Sequence, residues 1–216
     1  MSEPKAQFLS FITELGVPDP LALLARFEHY HALLCEQNQN VNLVSRATPV
    51  EEYWTRHYLD SLLALKCIDI DGKYILDLGS GGGLPGIPLH LAVPNTFFTL
   101  LEGVGKKAGV LRYFAEELGM QSCFPVWFRL EEFYHRSPLE KYDYVVCRAV
   151  RMEDRYRTPL IRLLKPDGMV VFYKARAISD LEGYQKELLY SEKLDYGYRC
   201  FYGIRRQHLK PKKRNR

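Results

Sequence analysis

A chain of 216 residues with 47% hydrophobic content has room for one domain with a sizeable core, but hardly for two. No apolar run approaches the roughly 20 residues of a membrane helix, and five scattered cysteines without C-x-x-C spacing give neither a zinc ribbon nor a thioredoxin-like site. A net charge of +4 is only a mild bias toward anionic partners, although the stretch from Ile204 to Arg216 carries Arg205, Arg206, Lys210, Lys212, Lys213, Arg214 and Arg216 with no acid.

The N-terminus has no signal-peptide pattern, since Lys5 precedes no apolar core and Glu14 and Gly16 interrupt the apolar stretch; a cytoplasmic protein is expected. Asp19-Pro20 predicts a helix start, because Asp caps and Pro suits the first turn. Leu23, Leu24, Phe27, Tyr30, Leu33 and Leu34 then recur at helical spacing, as a packing face. Thr48-Pro49-Val50-Glu51 has the form of a capping box opening a helix through Tyr53, Trp54, His57 and Leu62. Residues 1–66 are therefore expected to form a helical extension packed on a main domain over 67–216.

From Tyr74 the pattern changes. Short apolar strands are expected at Tyr74–Leu78, Thr96–Leu101, Cys123–Phe128, Tyr142–Cys147 and Met169–Tyr173. Helical stretches at Gly86–Val93, Gly105–Leu118, Glu131–His135 and Glu153–Leu164 separate them. The alternation predicts parallel βαβ units in a doubly wound α/β sheet, with ligands at the carboxyl ends of its strands. Leu164 to Gly168 reads as a helix exit and turn, and beyond Ser179 a helix and two further strands close the sheet, antiparallel at its edge.

The sharpest feature is Ile75-Leu76-Asp77-Leu78-Gly79-Ser80-Gly81-Gly82-Gly83-Leu84-Pro85-Gly86, a glycine loop between strand and helix. Gly81, Gly83 and Gly86 satisfy the dinucleotide pattern G-x-G-x-x-G, which alone is weak. Two features favour S-adenosylmethionine, the placing of Asp77 and the tight Gly79-x-Gly81-x-Gly83 spacing. Asp77, two residues before Gly79, is expected to face the ammonium of the methionine moiety. Glu102, closing the second strand, can accept from both ribose hydroxyls. The histidines form no H-E-x-x-H, and His29 and His31 diverge on a helix, so no metal is expected.

These motifs, with several longer ones, resemble the bacterial 16S rRNA guanine-N7 methyltransferases, the RsmG or GidB family. Asn42-Leu43-Val44-Ser45 resembles the family's N-L-T segment, and Arg56-His57-Tyr58-Leu59-Asp60-Ser61 its R-H-x-x-D-S helix. Leu84-Pro85-Gly86-Ile87-Pro88 matches its L-P-G-I-P. Leu100-Leu101-Glu102 with Lys106-Lys107, Arg129-Leu130-Glu131 and Cys147-Arg148-Ala149-Val150 resemble L-x-D-S-x-x-K-K, R-A-E and S-R-A-V. Glu102 and Leu130 depart from the family's Asp and Ala, and Lys174-Ala175 lacks the Gly that often follows this Lys.

The resemblance implies a seven-stranded, mostly parallel Rossmann-like methyltransferase sheet. It implies that the cofactor touches Gly79 and Leu84, with Ser80 and Gly81 beside them, that Glu102 takes the ribose, and that Leu130-Glu131 lies against the adenine. Arg148 is expected at the methionine end or the target base, as the catalytic positioning residue whose loss reduces turnover far more than stability. The fourth strand ends in Cys147-Arg148-Ala149 without the Pro-Pro segment of amino-group methylation, and Cys147 is expected to pack as a small hydrophobe.

Lys106, Lys107, Lys174, Arg176, Arg205 and Arg206, with the basic tail, are the expected RNA contacts, acting through phosphates. The expected partner is 16S rRNA or the 30S subunit, with a monomeric enzyme, no membrane and no metal. Two other readings compete: methyl transfer to a small molecule or protein from the same pocket, and a non-catalytic ribosome-binding module that keeps the fold.

Overall fold

The computed structural model describes residues 1–175 and 177–209; the RNA contacts expected at Arg176 and in the basic run from Lys210 to Arg216 lie outside the described residues. Helix α1 (Glu3–Glu14) precedes α2 (Pro20–Asn38), which starts where Asp19 Oδ1 accepts the Ala22 N–H at 2.9 Å. This cap satisfies one of the donors that a helix start leaves free.

The next segment departs from the expected single helix. A 3-10 turn at Val50–Glu52 leads into a π-helical turn at Trp54–Leu59, the short α3 (Asp60–Leu62) and a second 3-10 turn at Leu63–Lys66. The capping box does not form, as Pro49 precedes the first turn and no side chain caps it. A π turn is wider than an α turn and frees carbonyls for outside donors, which matters at the site below.

The sheet comprises β1 (Tyr74–Leu78), β2 (Phe97–Glu102), β3 (Cys123–Trp127), β4 (Tyr142–Arg148), β5 (Leu164–Lys174), β6 (Glu187–Leu194) and β7 (Gly197–Arg205). Between them run α4 (Gly86–Ala92), α5 (Gly105–Glu117), α6 (Leu130–Phe133) and α7 (Arg157–Leu163). The order is β3-β2-β1-β4-β5-β7-β6, with β7 antiparallel to both its neighbours and every other pairing parallel. The mostly parallel, doubly wound α/β fold is therefore as expected. The turn expected at Leu164–Gly168 is instead the start of β5. Leu164 pairs with Tyr142 across a register shift, and Gly168 fits there because a Cβ would stand 2.9 Å from the Tyr142 carbonyl.

Strand alternation sends side chains to two cores. Ile75, Leu100, Val146 and Val171 face α4, α5 and both N-terminal helices, while Leu76, Leu101, Val145, Val170 and Phe172 face α7. Phe8, Phe27, Trp54 and Tyr58 tie the N-terminal helices to the π turn, with Phe8 and Phe27 centroids 4.7 Å apart. Each such fully buried ring contributes about 1.5–3 kcal/mol.

Candidate active site

The carboxyl ends of β1, β2 and β4 open onto one cleft with two lobes. Leu78, Leu101, Gly103, Val104, Phe128, Leu130 and Glu131 line the first, and Leu43, Ser45, His57, Ser80, Gly81, Leu84, Lys107 and Arg148 line the second. Gly79 and Val150 border both. Gly79 has φ +75°, and a Cβ on it would stand 2.8 Å from Val150 Cγ2, so only glycine fits this floor.

The loop is held from below and behind. Gly79 and Ser80 donate to the Leu101 carbonyl at 2.9 and 3.2 Å, Ser80 Oγ donates to the Asp77 carbonyl at 3.0 Å, and Tyr30 of α2 donates to the Gly82 carbonyl at 2.6 Å. Glu102, buried at the end of β2, accepts the Gly81 N–H on Oε2 at 2.9 Å and the Val104 N–H on Oε1 at 2.8 Å.

This wiring decides between ligands. A phosphate site needs loop N–H groups pointing outward. Here Gly81 donates to Glu102, Gly83 to the Ser80 carbonyl at 2.7 Å, and Gly86 to Asp77 at 3.0 Å. With these N–H groups committed to protein acceptors, the loop suits a ligand without phosphates better than a dinucleotide.

Asp77 does not face the cleft. It lies beneath the loop, fully buried, with Oδ2 on the Gly86 N–H and Oδ1 without a partner. Gly86 is needed for this contact, since a Cβ there would stand 2.8 Å from Oδ2. Alternation explains the placement: Asp77 shares the face of Ile75, and its neighbours Leu76 and Leu78 share the other. Burial pushes its carboxyl from 3.8 up to about 7, against the pull of the Gly86 N–H. Between those values the unfolded chain releases the proton and the folded chain keeps it. Stability from this group is therefore lost as pH rises from about 4 to about 7. Urea unfolding at pH 5 and pH 8 is expected to show a larger loss in the wild-type chain than in Asp77→Asn; parallel losses would mean that Asp77 titrates normally.

Arg148 lies at the second lobe with its guanidinium turned to the π turn. NH1 donates to the His57 carbonyl at 3.0 Å and Ser61 Oγ at 2.9 Å; NH2 donates to the Arg56 carbonyl at 2.8 Å and His57 Nδ1 at 3.1 Å; Nε lies 3.4 Å from Asp60 Oδ2. All three guanidinium nitrogens thus have partners within the protein. Asp60 also pairs with Arg199 of β7, while Tyr173 and Tyr196 donate to the Ser61 and Thr55 carbonyls, each at 2.9 Å. The side chain is thus an internal ion-pair member that also walls the cleft, so its loss is expected to cost stability as well as turnover.

Burial and the Arg148 charge lower His57 to about 4, so its ring is neutral near pH 7. Ala149 follows Arg148 at φ +59°, a strained conformation for a residue with a Cβ. Cys147 is buried, with its thiol pushed up by burial.

Leu130 and Glu131 lie together in the first lobe, Glu131 paired with Arg155 at 3.0 Å. Lys107 reaches the second lobe and Lys106 is exposed beside it. Lys174 is different, being drawn inward to Asp180 at 2.6 Å and the Val150 carbonyl at 3.4 Å. Arg205 pairs with Glu187 at 3.2 Å and Arg206 with Glu140 at 2.7 Å. Arg205 stands opposite Met169, near the amino end of β5, whereas Lys174 at the carboxyl end stands opposite Cys200. The two arginines therefore sit at the end of the sheet away from the cleft.

Sequence reasoning missed the clasp on the cleft's rim. Asn38 Oδ1 accepts the Leu43 and Val44 N–H groups at 2.9 and 3.1 Å and fixes the segment leading to Ser45. The nearby Asn42-Leu43-Val44-Ser45 motif was the available signal. Among the described residues no cluster of His, Cys, Asp and Glu could hold a metal ion, and no helix is long and apolar enough to cross a membrane.

Residues 23–209 match the model of a family described as rRNA small subunit methyltransferase G. A protein of Pelotomaculum thermopropionicum named ribosomal RNA small subunit methyltransferase G is 37% identical over 142 residues, 63% of this chain and 58% of that protein. One of the same name from Desulforamulus reducens is 34% identical over 159 residues, 71% of this chain and 65% of that protein. The matched part of the chain thus spans somewhat under two thirds of these relatives. A solved structure titled SAM dependent methyltransferase, from Aquifex aeolicus, shares the fold with a TM-score of 0.55 at 12% identity, covering 68% of this chain and 90% of that one.

Proposed function

Because the chain belongs to the rRNA small subunit methyltransferase G family, we propose that it transfers a methyl group from S-adenosylmethionine to N7 of a guanine in 16S rRNA. The observation that carries this reading is the cleft itself, with a glycine floor at Gly79, a buried Glu102 at the β2 end, and loop N–H groups already committed to protein acceptors.

S-adenosylmethionine would supply an electrophilic methyl on a sulfonium. Glu102 keeps lone pairs for ribose hydroxyls while it holds Gly81 and Val104. Leu130 offers an apolar wall for the adenine with Glu131 beside it, and Gly79, Ser80, Gly81 and Leu84 border the methionine end. Asp77 supports the loop from beneath without touching the ligand.

Guanine N7 has a lone pair and no proton, so the acceptor needs no general base. Positioning and tolerance of the developing positive charge are then the tasks left to the protein. The neutral His57 suits that requirement. Arg148 acts as a positioning residue, holding Arg56 to Ser61 against the strand end. Lys106 and Lys107 are the supported RNA contacts, and binding through them weakens as salt rises.

The test is incubation with radiolabelled S-adenosylmethionine and undermethylated 30S subunits or 16S rRNA, followed by mapping of the labelled base. Label on N7 of a single guanine is expected. Absence of label, with cofactor binding intact by calorimetry, would move the acceptor to another molecule.

A further inference from the structure

Trp127 ends β3, and it is 58% exposed. A large aromatic left in water at an element's end is a candidate contact. Its pose is fixed: Nε1 donates to the Gly103 carbonyl at 3.2 Å, and the ring lies against Gly105, where a Cβ would stand 3.0 Å from ring atoms. Gly105 is the first residue of α5, and Lys106 and Lys107 follow it. The indole, Lys106 and the cleft-lining Lys107 therefore share one short stretch of surface leading to the second lobe.

Charge adds direction to this surface. Lys106, Lys107 and Arg129 are without ion pairs among the described residues, whereas Arg155 on the other side of the first lobe is paired with Glu131 and Glu153. Arg129 passes Gly103, its Cγ 3.5 Å from where a Cβ would stand. Unpaired cations around a fixed aromatic face match a single-stranded nucleic acid, whose phosphates meet the cations while a base meets the ring. An acidic protein would meet the cations but would have no use for the ring.

We propose that the exposed face of Trp127, flanked by Lys106 and Arg129, is a stacking platform for an unpaired base of the RNA strand that enters the cleft. The proposal rests on the RNA substrate proposed above and adds a residue outside the cofactor cleft. Trp127 does not line either lobe. It is therefore a substrate-binding residue and not a wall of the adenine site.

The chain has two tryptophans, and Trp54 is only 4% exposed, so quenching by a stacked base reports on Trp127. Titrating the full chain with a single-stranded oligoadenylate 12-mer and with 16S rRNA is expected to quench tryptophan emission in step with binding followed by anisotropy. Trp127→Ala is expected to weaken RNA binding about 10-fold, the loss of one stacked base. It should raise KM for the RNA with kcat and cofactor affinity unchanged. Trp127→Phe, which keeps a ring, should retain most of the affinity and lose the quenching. RNA that binds and is methylated with no change in emission, or binds Trp127→Ala equally well, would overturn the platform alone. Equal loss of cofactor affinity in Trp127→Ala would reassign the ring to the adenine. A wild-type chain that binds no RNA would overturn the platform together with the RNA reading on which it rests.

Discussion

Arg148→Ala is expected to lower folding stability by about 3–5 kcal/mol and to abolish most turnover. The guanidinium is only 17% exposed, and it serves the Arg56 and His57 carbonyls, Ser61 Oγ, His57 Nδ1 and the Asp60 carboxylate. Truncation would leave Asp60, itself 3% exposed, with Arg199 as its remaining cation and would strand two carbonyls. Arg148→Lys should rescue little, because an ammonium cannot reproduce a planar fork serving several acceptors. Denaturant melts of Arg148→Ala, Asp60→Ala and the double variant test this. Strong non-additivity is expected, since both side chains hold the same π turn. A stable but inactive Arg148→Ala would instead assign the guanidinium to the reacting groups.

Glu102→Ala is expected to weaken S-adenosylmethionine binding by about 10- to 100-fold and to cost some stability. A hydrogen bond to a charged group is worth about 1.5–3 kcal/mol. Two are lost here, on Gly81 and Val104, together with any made to a ribose. Glu102→Asp should fall between, because the shorter side chain gives up reach to the loop but keeps its charge. Calorimetric titration with the cofactor separates these outcomes. Unchanged affinity in Glu102→Ala would restrict Glu102 to a structural brace.

The two largest effects thus fall on residues joining the N-terminal part and the glycine loop to the strand ends. Arg148 clamps the π turn, Glu102 the loop, Tyr30 the loop from α2, and Asn38 the rim segment. Activity and stability are coupled wherever one side chain serves both.

Much of this was legible in the chain. Alternating apolar runs gave the strands, because a two-residue period and a helical period are local properties that neighbouring residues determine. The Asp19-Pro20 start formed because a cap needs only the next three residues. The glycine loop and Leu130-Glu131 came together at one cleft, with Glu102 holding the loop, because parallel strands carry their carboxyl ends to one side.

What the sequence could not decide was direction and partnership. Asp77 belongs to the right motif, yet strand alternation turns it beneath the loop and leaves its carboxyl without solvent. Ala149 adopts φ +59° with no glycine to announce it. Thr48 to Glu51 carries the letters of a capping box, but tertiary packing winds the following residues into a π turn whose carbonyls Arg148 takes. The basic residues show the same limit. Composition grouped Lys106, Lys174, Arg205 and Arg206 alike. The fold draws Lys174 inward to Asp180, and the antiparallel β7 carries both arginines to the far end of the sheet. Local patterns determined the elements and the cleft. Which side chains face a ligand, and which face one another, followed from contacts between residues far apart in the chain, and those contacts exist only once the sheet has assembled.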